Sequence, residues 1–364
     1  MTGRPVHDRP APGPAPSGPG VSYAESGVDI DAGERAVELM RAAVARTTRP
    51  EVVGGLGGFA GLFALDVQRY RRPLLASTTD GVGTKIALAR ALDRHDTIGL
   101  DLVAMVVDDL AVCGAEPLFL QDYIACGQVV PERIAAIVSG IAAGCALAGC
   151  SVVGGETAEH GDLMEPDAYD LAATAVGVVE TDDLLGPDRV RPGDAVVALA
   201  SSGLHSNGYS LVRRVIRDLP LSTRVPELGR TLGEELLEPT RIYALDCLAL
   251  AAATEVHAYA HVTGGGLAGN LARVLPPGLT AVVDRATWTR PPVFDLVGRL
   301  GPVAEPELER TLNVGVGMVA VVPDGPAAVR LLADRGVPAW VAGEVLADSG
   351  PGTGTARLVG THPR

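Results

Sequence analysis

Lys85 is the single lysine of this chain, against 29 arginines (30 basic residues less one), and it closes the run Ser77-Thr78-Thr79-Asp80-Gly81-Val82-Gly83-Thr84-Lys85. Arginine offers a wide planar fork; lysine offers a compact point charge on a flexible stem, a form suited to following a phosphoryl group. The turn around it is rich in Gly and Asp, the composition that commonly holds phosphates. Asp80 stands where a strand candidate, Leu74 to Thr79, ends and a Gly-x-Gly turn begins, which aims its carboxylate into the crevice at the strand's C-terminal edge. Asp80 and Lys85 together can bind Mg2+ and neutralise phosphate oxygens, most of what phosphoryl transfer asks of a protein. The spacing is neither that of a GxxxxGK[ST] loop nor of a GxGxxG fingerprint. On this reading Lys85→Arg leaves the fold intact and slows turnover. An ordinary Asp-Gly turn after a strand is the plainer alternative.

Other residues offer related chemistry. Asp108 and Asp109 follow Leu102-Val103-Ala104-Met105-Val106-Val107, where carboxylates are costly unless paired or bound to a cation. Neighbouring helix positions diverge by about 100°, so at most one of the two should face a metal directly. Asp109 is the choice, while Asp108 reads equally well as part of a solvated stripe with Asp101. Glu156, in Gly154-Gly155-Glu156-Thr157, follows the apolar Ser151-Val152-Val153 and sets an acid just beyond a strand. Asp80, Asp109 and Glu156 would then converge as oxygen ligands of Mg2+. His205 lies in an exposed turn, flanked by Ser206 and Asn207. Gly264, Gly265 and Gly266 open a helix whose N–H groups can cradle a phosphate, with His261 and Thr263 placed to cap or orient the loop. Gly54-Gly55-Leu56-Gly57-Gly58-Phe59 is too glycine-rich to be ordered cheaply and reads as a mobile lid or a linker.

The elements that position these residues follow from periodicity. Helical spacing predicts helices over Asp31 to Arg46, Asp101 to Cys113 and Glu132 to Cys150. Asp170 to Glu180 reads as a strand. Residues 181–193 hold Asp182, Asp183, Gly186, Pro187, Pro192 and Gly193 and make the best boundary, separating an N-terminal domain (21–180) from a C-terminal one (194–364). The second half repeats strand, small-residue turn, helix: Asp194 to Ala200 before the 201–208 turn, Val256 to Val262 before Gly264, then strands over Val314 to Val322 and Ala339 to Val345. The pattern implies an α/β or α+β enzyme of two layered domains.

Composition bounds the function. A net charge of -14 supplies no basic stripe for nucleic acid. Five cysteines (Cys113, Cys126, Cys145, Cys150 and Cys247) form no CxxC pair, and a reduced cytoplasm is the natural compartment. Residues 1–20, rich in proline and lacking a signal pattern, are expected to be a disordered extension. No apolar run reaches the ~18 residues of a membrane helix, so no membrane partner is expected.

Taken together, nine ordered segments resemble one family, phosphoribosylformylglycinamidine cyclo-ligase (AIR synthetase) of de novo purine biosynthesis. They are SYAESGVDIDAG (Ser22 to Gly33), RPEVVGGLGGFAGLFAL (Arg49 to Leu65), TDGVGTK (Thr79 to Lys85), HDTIGLDLVAMVVDDLAVCGAEPLFLQDYIA (His95 to Ala125), GCSVVGGETAEH (Gly149 to His160), SSGLHSNGYSLVR (Ser201 to Arg213), EPTRIYA (Glu238 to Ala244), HVTGGGLAGNLARVLP (His261 to Pro276) and NVGVGM (Asn313 to Met318). The resemblance implies a PurM-like fold and a homodimer whose N-terminal domains form an intersubunit β-barrel, each with a C-terminal α/β domain beside it. It implies conversion of formylglycinamidine ribonucleotide and ATP into aminoimidazole ribonucleotide, ADP and phosphate through a phosphorylated formyl amide. Carried over by motif, Asp80, Asp109 and Glu156 would hold Mg2+. Lys85, with Asp80, Gly81, Gly83 and Thr84, would contact ATP under a lid of Gly54, Gly55, Gly57 and Gly58. Substrate would fall to His205, Ser206, Asn207, Thr263 and Gly264 to Gly266, with His205 assisting at the reacting amide or binding phosphate. The chain departs from the family pattern at His160-Gly161-Asp162, where a Pro-Gly is common, and at Asp108, where many relatives have Asn. The alternatives are another ATP-using enzyme of the same superfamily, such as a thiamine-monophosphate kinase, and a catalytically silent subunit.

Overall fold

The computed structural model describes residues 27–55, 57–348 and 352–363; the expected extension over 1–20 and Leu56 of the glycine loop lie outside them. The first half contains α1 (Ile30–Ala45), short strands β1 (Val52–Val53) and β2 (Leu62–Phe63), then β3 (Pro73–Gly81), α2 (Ile86–Leu92), α3 (Ile98–Val112), β4 (Glu116–Cys126), α4 (Pro131–Ala148), β5 (Ser151–Glu159) and β6 (Tyr169–Glu180). Its main sheet has the order β3-β6-β4-β5, antiparallel except for the β4/β5 pair, which α4 connects. Residues 181–193 carry two 3-10 turns.

The second half holds β7 (Ala195–Ala200), α5 (Tyr209–Ile216), β8 (Arg224–Val225), β9 (Arg230–Thr231), α6 (Leu232–Leu236), α7 (Ala244–Ala253), β10 (Ala258–His261), α8 (Gly266–Ala272), β11 (Leu279–Asp284), α9 (Pro292–Leu300), α10 (Glu305–Thr311), β12 (Val316–Val322), α11 (Gly325–Asp334), β13 (Ala339–Ala347) and β14 (Thr355–Val359). Its sheet runs β10-β12-β7-β13-β11-β14.

The two sheets are buried differently, and residue alternation shows why. In β7, Val197 and Leu199 enter a core shared with the first half, while Val196 and Ala198 enter a second core on the opposite face. A strand covered on both sides is apolar throughout, as Ala195 to Ala200 is. In β6, by contrast, Leu171, Ala173 and Ala175 are buried beneath the helices, while Asp170 and Thr174, on the alternate positions, are exposed. One face of the first sheet therefore lies uncovered by the described residues.

Two expected boundaries shift. β3 continues through Asp80 to Gly81, and β5 through Glu156 to Glu159, because both acids remain paired within the sheet. Glu156 is thus inside a strand rather than just beyond one. A further correction concerns α4. Its 18 residues, at a mean hydropathy of 1.3, are long and apolar enough by composition to cross a membrane, which the sequence pattern did not anticipate. Here those residues pack against α1 and α3. Pro131 at its first turn and Gly149 after its last, left-handed at φ 69°, set its length.

α3 and α4 touch backbone to backbone at glycines. A Cβ added to Gly99 would lie 2.3 Å from Ile141 N and 2.4 Å from Ile137 O, and one added to Gly140 would lie 2.2 Å from Asp96 O. No side chain of either neighbour can yield, so the helices would have to part. Gly99→Ala is therefore expected to destabilise the protein by about 2 kcal/mol or more. Gly269→Ala in α8, where an added Cβ meets nothing within 4 Å, should be neutral or stabilising by up to ~1 kcal/mol. Urea unfolding of both variants checks the contrast.

Candidate active site

α3 lies between the two halves, against β3, β4 and β6 on one side and α7 and β10 on the other. Its acids sort by face. Asp101 and Asp108, seven residues apart and so on nearly the same side, are wholly buried rather than forming a solvated stripe. Asp101 Oδ1 accepts from Thr240 N (2.8 Å), Thr240 Oγ1 (2.6 Å), Ser206 Oγ (3.3 Å) and Lys85 Nζ (2.8 Å). Asp108 Oδ1 accepts from Tyr243 N at 2.8 Å, and burial pushes its carboxyl up to about 7. The pair thus receives the backbone of the 238–243 segment from the second half.

Lys85 completes this joint. It is 0% exposed, and its ammonium donates to Asp101 Oδ1 (2.8 Å), His205 O (3.0 Å) and Glu238 O (2.6 Å). An ammonium has three N–H groups, and here each meets one acceptor. None is left for a phosphate, which corrects the expected contact with ATP. The lone lysine is explained by a tetrahedral donor set enclosed by protein. Burial lowers its pKa, and the Asp101 carboxylate pulls the other way.

His205 is also corrected. It is 2% exposed, with left-handed backbone at φ 62°, and its ring accepts at Nε2 from Ser202 N (3.2 Å). Burial first, then the charges of His261, Lys85 and Arg241, hold its pKa well below the usual histidine value, so the ring is neutral. Gly317 makes room for it, since a Cβ there would lie 2.4 Å from His205 Cε1 and 2.1 Å from the Tyr243 hydroxyl. The ring points inward, and the turn presents Ser206, Asn207 and Gly208 to the cleft instead.

That cleft, about 660 Å3, runs between the halves. Asp80, Gly81, Gly83 and Thr84 line one wall, Ser206, Asn207 and Ser210 the other, and Met105 of α3 also lines it. Thr84 Oγ1 and Ser210 Oγ meet across it at 3.1 Å. Asp109, one turn beyond Met105, has a side chain 42% exposed and accepts from His261 Nδ1 at 2.9 Å. Burial raises the Asp80 pKa; the Gly81 N–H opposes this, and the nearby Asp109 charge adds to it. For His261 burial acts downward, but the Asp109 hydrogen bond and the charges of Asp108, Asp109 and Asp80 outweigh it and raise the pKa. His261, expected only to orient the glycine loop, is thus the partner of the cleft's acids. Its placement needed the β10/α3 contact, which spacing does not carry.

The glycine loop after His261 joins the same region. Asn270 Nδ2 donates to the carbonyls of Thr263 (3.3 Å), Gly264 (3.2 Å) and Gly266 (2.9 Å), and a Cβ on Gly264 would lie 3.6 Å from Asn207 Oδ1. Gly266 is required: at φ 70° an added Cβ would come within 1.8 Å of Glu309 O. Asn270 was not anticipated as the loop's internal brace.

Glu156 stands apart. The register aligns Asp80 with Ala173, Ala173 with Asp122 and Asp122 with Gly155. Three strand spacings, about 14 Å, separate Asp80 from Gly155, and Glu156 points to the opposite face of the sheet. Within one chain it cannot share an ion with Asp80 and Asp109, which corrects the expected three-acid convergence. Gly57 and Gly58 lie beside Glu156 along a different cavity of about 740 Å3. Gly54 and Gly55 line a smaller one of about 150 Å3.

Breaking one member of a buried ion pair costs about 3 kcal/mol or more. Lys85→Met is expected to destabilise by that order. Lys85→Arg should also destabilise, because an enclosed site for three donors cannot satisfy five; this replaces the expectation of an intact fold. Denaturant midpoints of both variants decide the matter.

Family profiles described as the AIR synthase related protein N-terminal and C-terminal domains match residues 65–179 and 191–354. The phosphoribosylformylglycinamidine cyclo-ligase of Anaeromyxobacter sp. (strain Fw109-5) is 54% identical over 343 residues, covering 93% of this chain and 99% of that protein. The enzyme of the same name from Desulfitobacterium hafniense (strain DSM 10664 / DCB-2) is 54% identical over 303 residues, 83% of this chain and 89% of that one. Among solved structures, thiamine-monophosphate kinase from Stenotrophomonas maltophilia K279a has a TM-score of 0.66 at 22% identity, covering 90% of this chain and 97% of that one. Hydrogenase maturation protein HypE in complex with ATP has a TM-score of 0.57 at 18% identity, covering 90% and 91%. At such identity these two structures speak for the two-domain mixed α/β fold alone. The relatives that match almost end to end decide the rest: the chain belongs to the phosphoribosylformylglycinamidine cyclo-ligase family.

Proposed function

We propose that this chain closes the ring of formylglycinamidine ribonucleotide to give aminoimidazole ribonucleotide, with ATP converted to ADP and phosphate. In this reading ATP phosphorylates the formyl amide oxygen, the amidine nitrogen attacks that carbon, and phosphate departs. The observation that carries it is the cleft between residues 21–180 and 194–364, the two domains we assign on either side of 181–193. There Asp80, with Asp109 near it, lies across from the 206–210 turn, and the glycine loop approaches that turn at Asn207.

The donor set fits Mg2+. Two carboxylates close enough that the charge of Asp109 helps raise the pKa of Asp80 suit a hard cation, and Asp109 is part-exposed, with one oxygen held by His261. Bound there, Mg2+ would offset charge on the transferring phosphoryl group. The protein's own residues orient: His261 holds Asp109, Gly81, Gly83 and Thr84 edge the phosphate side, and Asn207 with Thr263 and Gly264 to Gly266 edge the substrate side. Lys85 acts at one remove, by fixing the carbonyl of His205 and so the turn that presents Asn207.

The proposal includes a homodimer with an intersubunit barrel. Its support is the uncovered face of the first sheet, where Leu75 is 66% and Tyr123 44% exposed and Thr79 meets Thr174 at 2.7 Å. Glu156 points to that same face. A cytoplasmic setting suits the five free thiols.

Incubation with formylglycinamidine ribonucleotide, ATP and MgCl2 should yield ADP and aminoimidazole in equal amounts; ADP without aminoimidazole would defeat the ring-closure reading. Asp109→Asn should raise the Mg2+ concentration for half-maximal rate at least tenfold. Asp108→Asn, whose carboxyl is turned to Tyr243, should change it less than threefold. Light scattering should show a dimer at micromolar concentration, and Leu75→Glu should shift it to monomer.

A further inference from the structure

The turn that presents Asn207 to the cleft is shaped from behind, by a segment that the reaction as proposed leaves unused. Residues 311–317 run from the end of α10 into β12 and touch that turn along its length. Ser201 N donates to Gly315 O at 3.0 Å, and Asn313 Nδ2 donates to Gly203 O at 2.9 Å. Gly317 leaves the space that the His205 ring fills. Gly208 packs so closely on the segment that a Cβ there would lie 2.4 Å from Leu312 Cδ2 and 2.9 Å from Thr311 O. Within the segment, Val314 is left-handed at φ 44°. For a β-branched residue that conformation is an outlier, because its Cβ crowds the following carbonyl. Such strain persists only where the surroundings over-determine it. Here Asn313 Oδ1 accepts from Gly315 N at 2.9 Å, bridging the strained residue, and Val316 N closes the bend onto Asn313 O at 3.0 Å. Buried Trp288 donates from Nε1 to Val314 O at 3.1 Å, and the Val314 side chain is wholly enclosed. The buried Asn313 amide can sit only one way round, since Gly203 O only accepts and Gly315 N only donates. Its oxygen holds the bend, and its nitrogen reaches the turn.

We propose that Asn313 and Val314 are positioning residues for the substrate side of the cleft: the left-handed bend at Val314 aims the Asn313 amide at Gly203, and so sets where the 201–208 turn presents Asn207. Neither side chain lines the cleft, and both act through the turn. Were the bend to relax to ordinary backbone angles, the amide would swing away from Gly203. The turn would then hold its binding geometry for only part of the time, and apparent affinity falls by that fraction. Asp80, Gly81, Gly83 and Thr84 belong to the opposite wall, so the loss should fall on the substrate and spare the nucleotide. The inference rests on the ring-closure reading for the identity of that substrate.

Calorimetric titration of the full-length protein with formylglycinamidine ribonucleotide and, separately, with MgATP reads the two sides of the cleft. Asn313→Ala should weaken substrate binding at least tenfold and MgATP binding less than twofold. Adding Val314→Gly to Asn313→Ala should restore at least threefold of that loss, because glycine keeps the left-handed bend without strain once the brace is gone. Such a rescue by a second truncation is not what a merely structural role would give. Trp288→Phe removes the donor to Val314 O and should weaken substrate binding at least threefold, again sparing MgATP; it decides the matter if Asn313→Ala fails to fold. A folded Asn313→Ala with unchanged substrate affinity overturns the assignment, as does an equal loss of both ligands or a double variant that binds no better than the single one. A wild type that binds no formylglycinamidine ribonucleotide would defeat the ring-closure reading instead. Hydrogen exchange then judges the inference: amides of residues 202–208 should exchange at least tenfold faster in Asn313→Ala while those of α3 keep their protection, and unchanged exchange in the turn overturns it.

Discussion

The enclosed ammonium of Lys85 is the interaction on which the arrangement of the cleft depends. It ties a turn of the first half to two carbonyls of the second and to Asp101 between them, with no solvent to share the charge. In such surroundings the three contacts are mutually required, because losing any one leaves a donor or a charge buried without compensation. The same lysine holds His205 in its left-handed conformation, which turns Asn207 toward the cleft. A residue that touches no reactant in this arrangement can thereby set the geometry of those that do.

α3 distributes the acids that this joint and the cleft need. A helix with 3.6 residues per turn places Asp101 and Asp108 together and turns Asp109 away by about 100°. The first two are enclosed and receive backbone N–H groups from the 238–243 segment. The third is part-exposed and held by His261. One apolar helix therefore anchors the second half and equips the cleft, and the two tasks are kept apart by helical geometry alone.

The first sheet makes a second separation. Alternate residues face opposite sides, so Asp80 and Asp122 belong with the helices while Glu156 and Tyr123 belong to the open face. The 14 Å between Asp80 and the β5 edge is greater than any single ion can bridge. Two distinct cavities follow from this, one between the halves and one under α1.

Much was legible in the sequence because it depends on local periodicity. The helices at α1, α3 and α4, the strands flanking them and the turn-rich 181–193 segment are each written in spacing and in Pro and Gly positions, and the ordered motifs pointed to the cyclo-ligase family. Helix angle alone required that Asp108 and Asp109 face different sides, but it did not say which of them would be enclosed. Contacts between distant segments were not legible. That Lys85 meets Glu238 and His205, that His261 meets Asp109, and that Asp122 lies over Gly155 all depend on elements brought together from 33 to 153 residues apart. The sequence by itself determined which residue types were present and on which side of a helix or strand each would stand. Tertiary packing alone decided which of them would be enclosed, since the cost of burying a charge is set by the neighbours that surround it and not by the residues beside it in the chain.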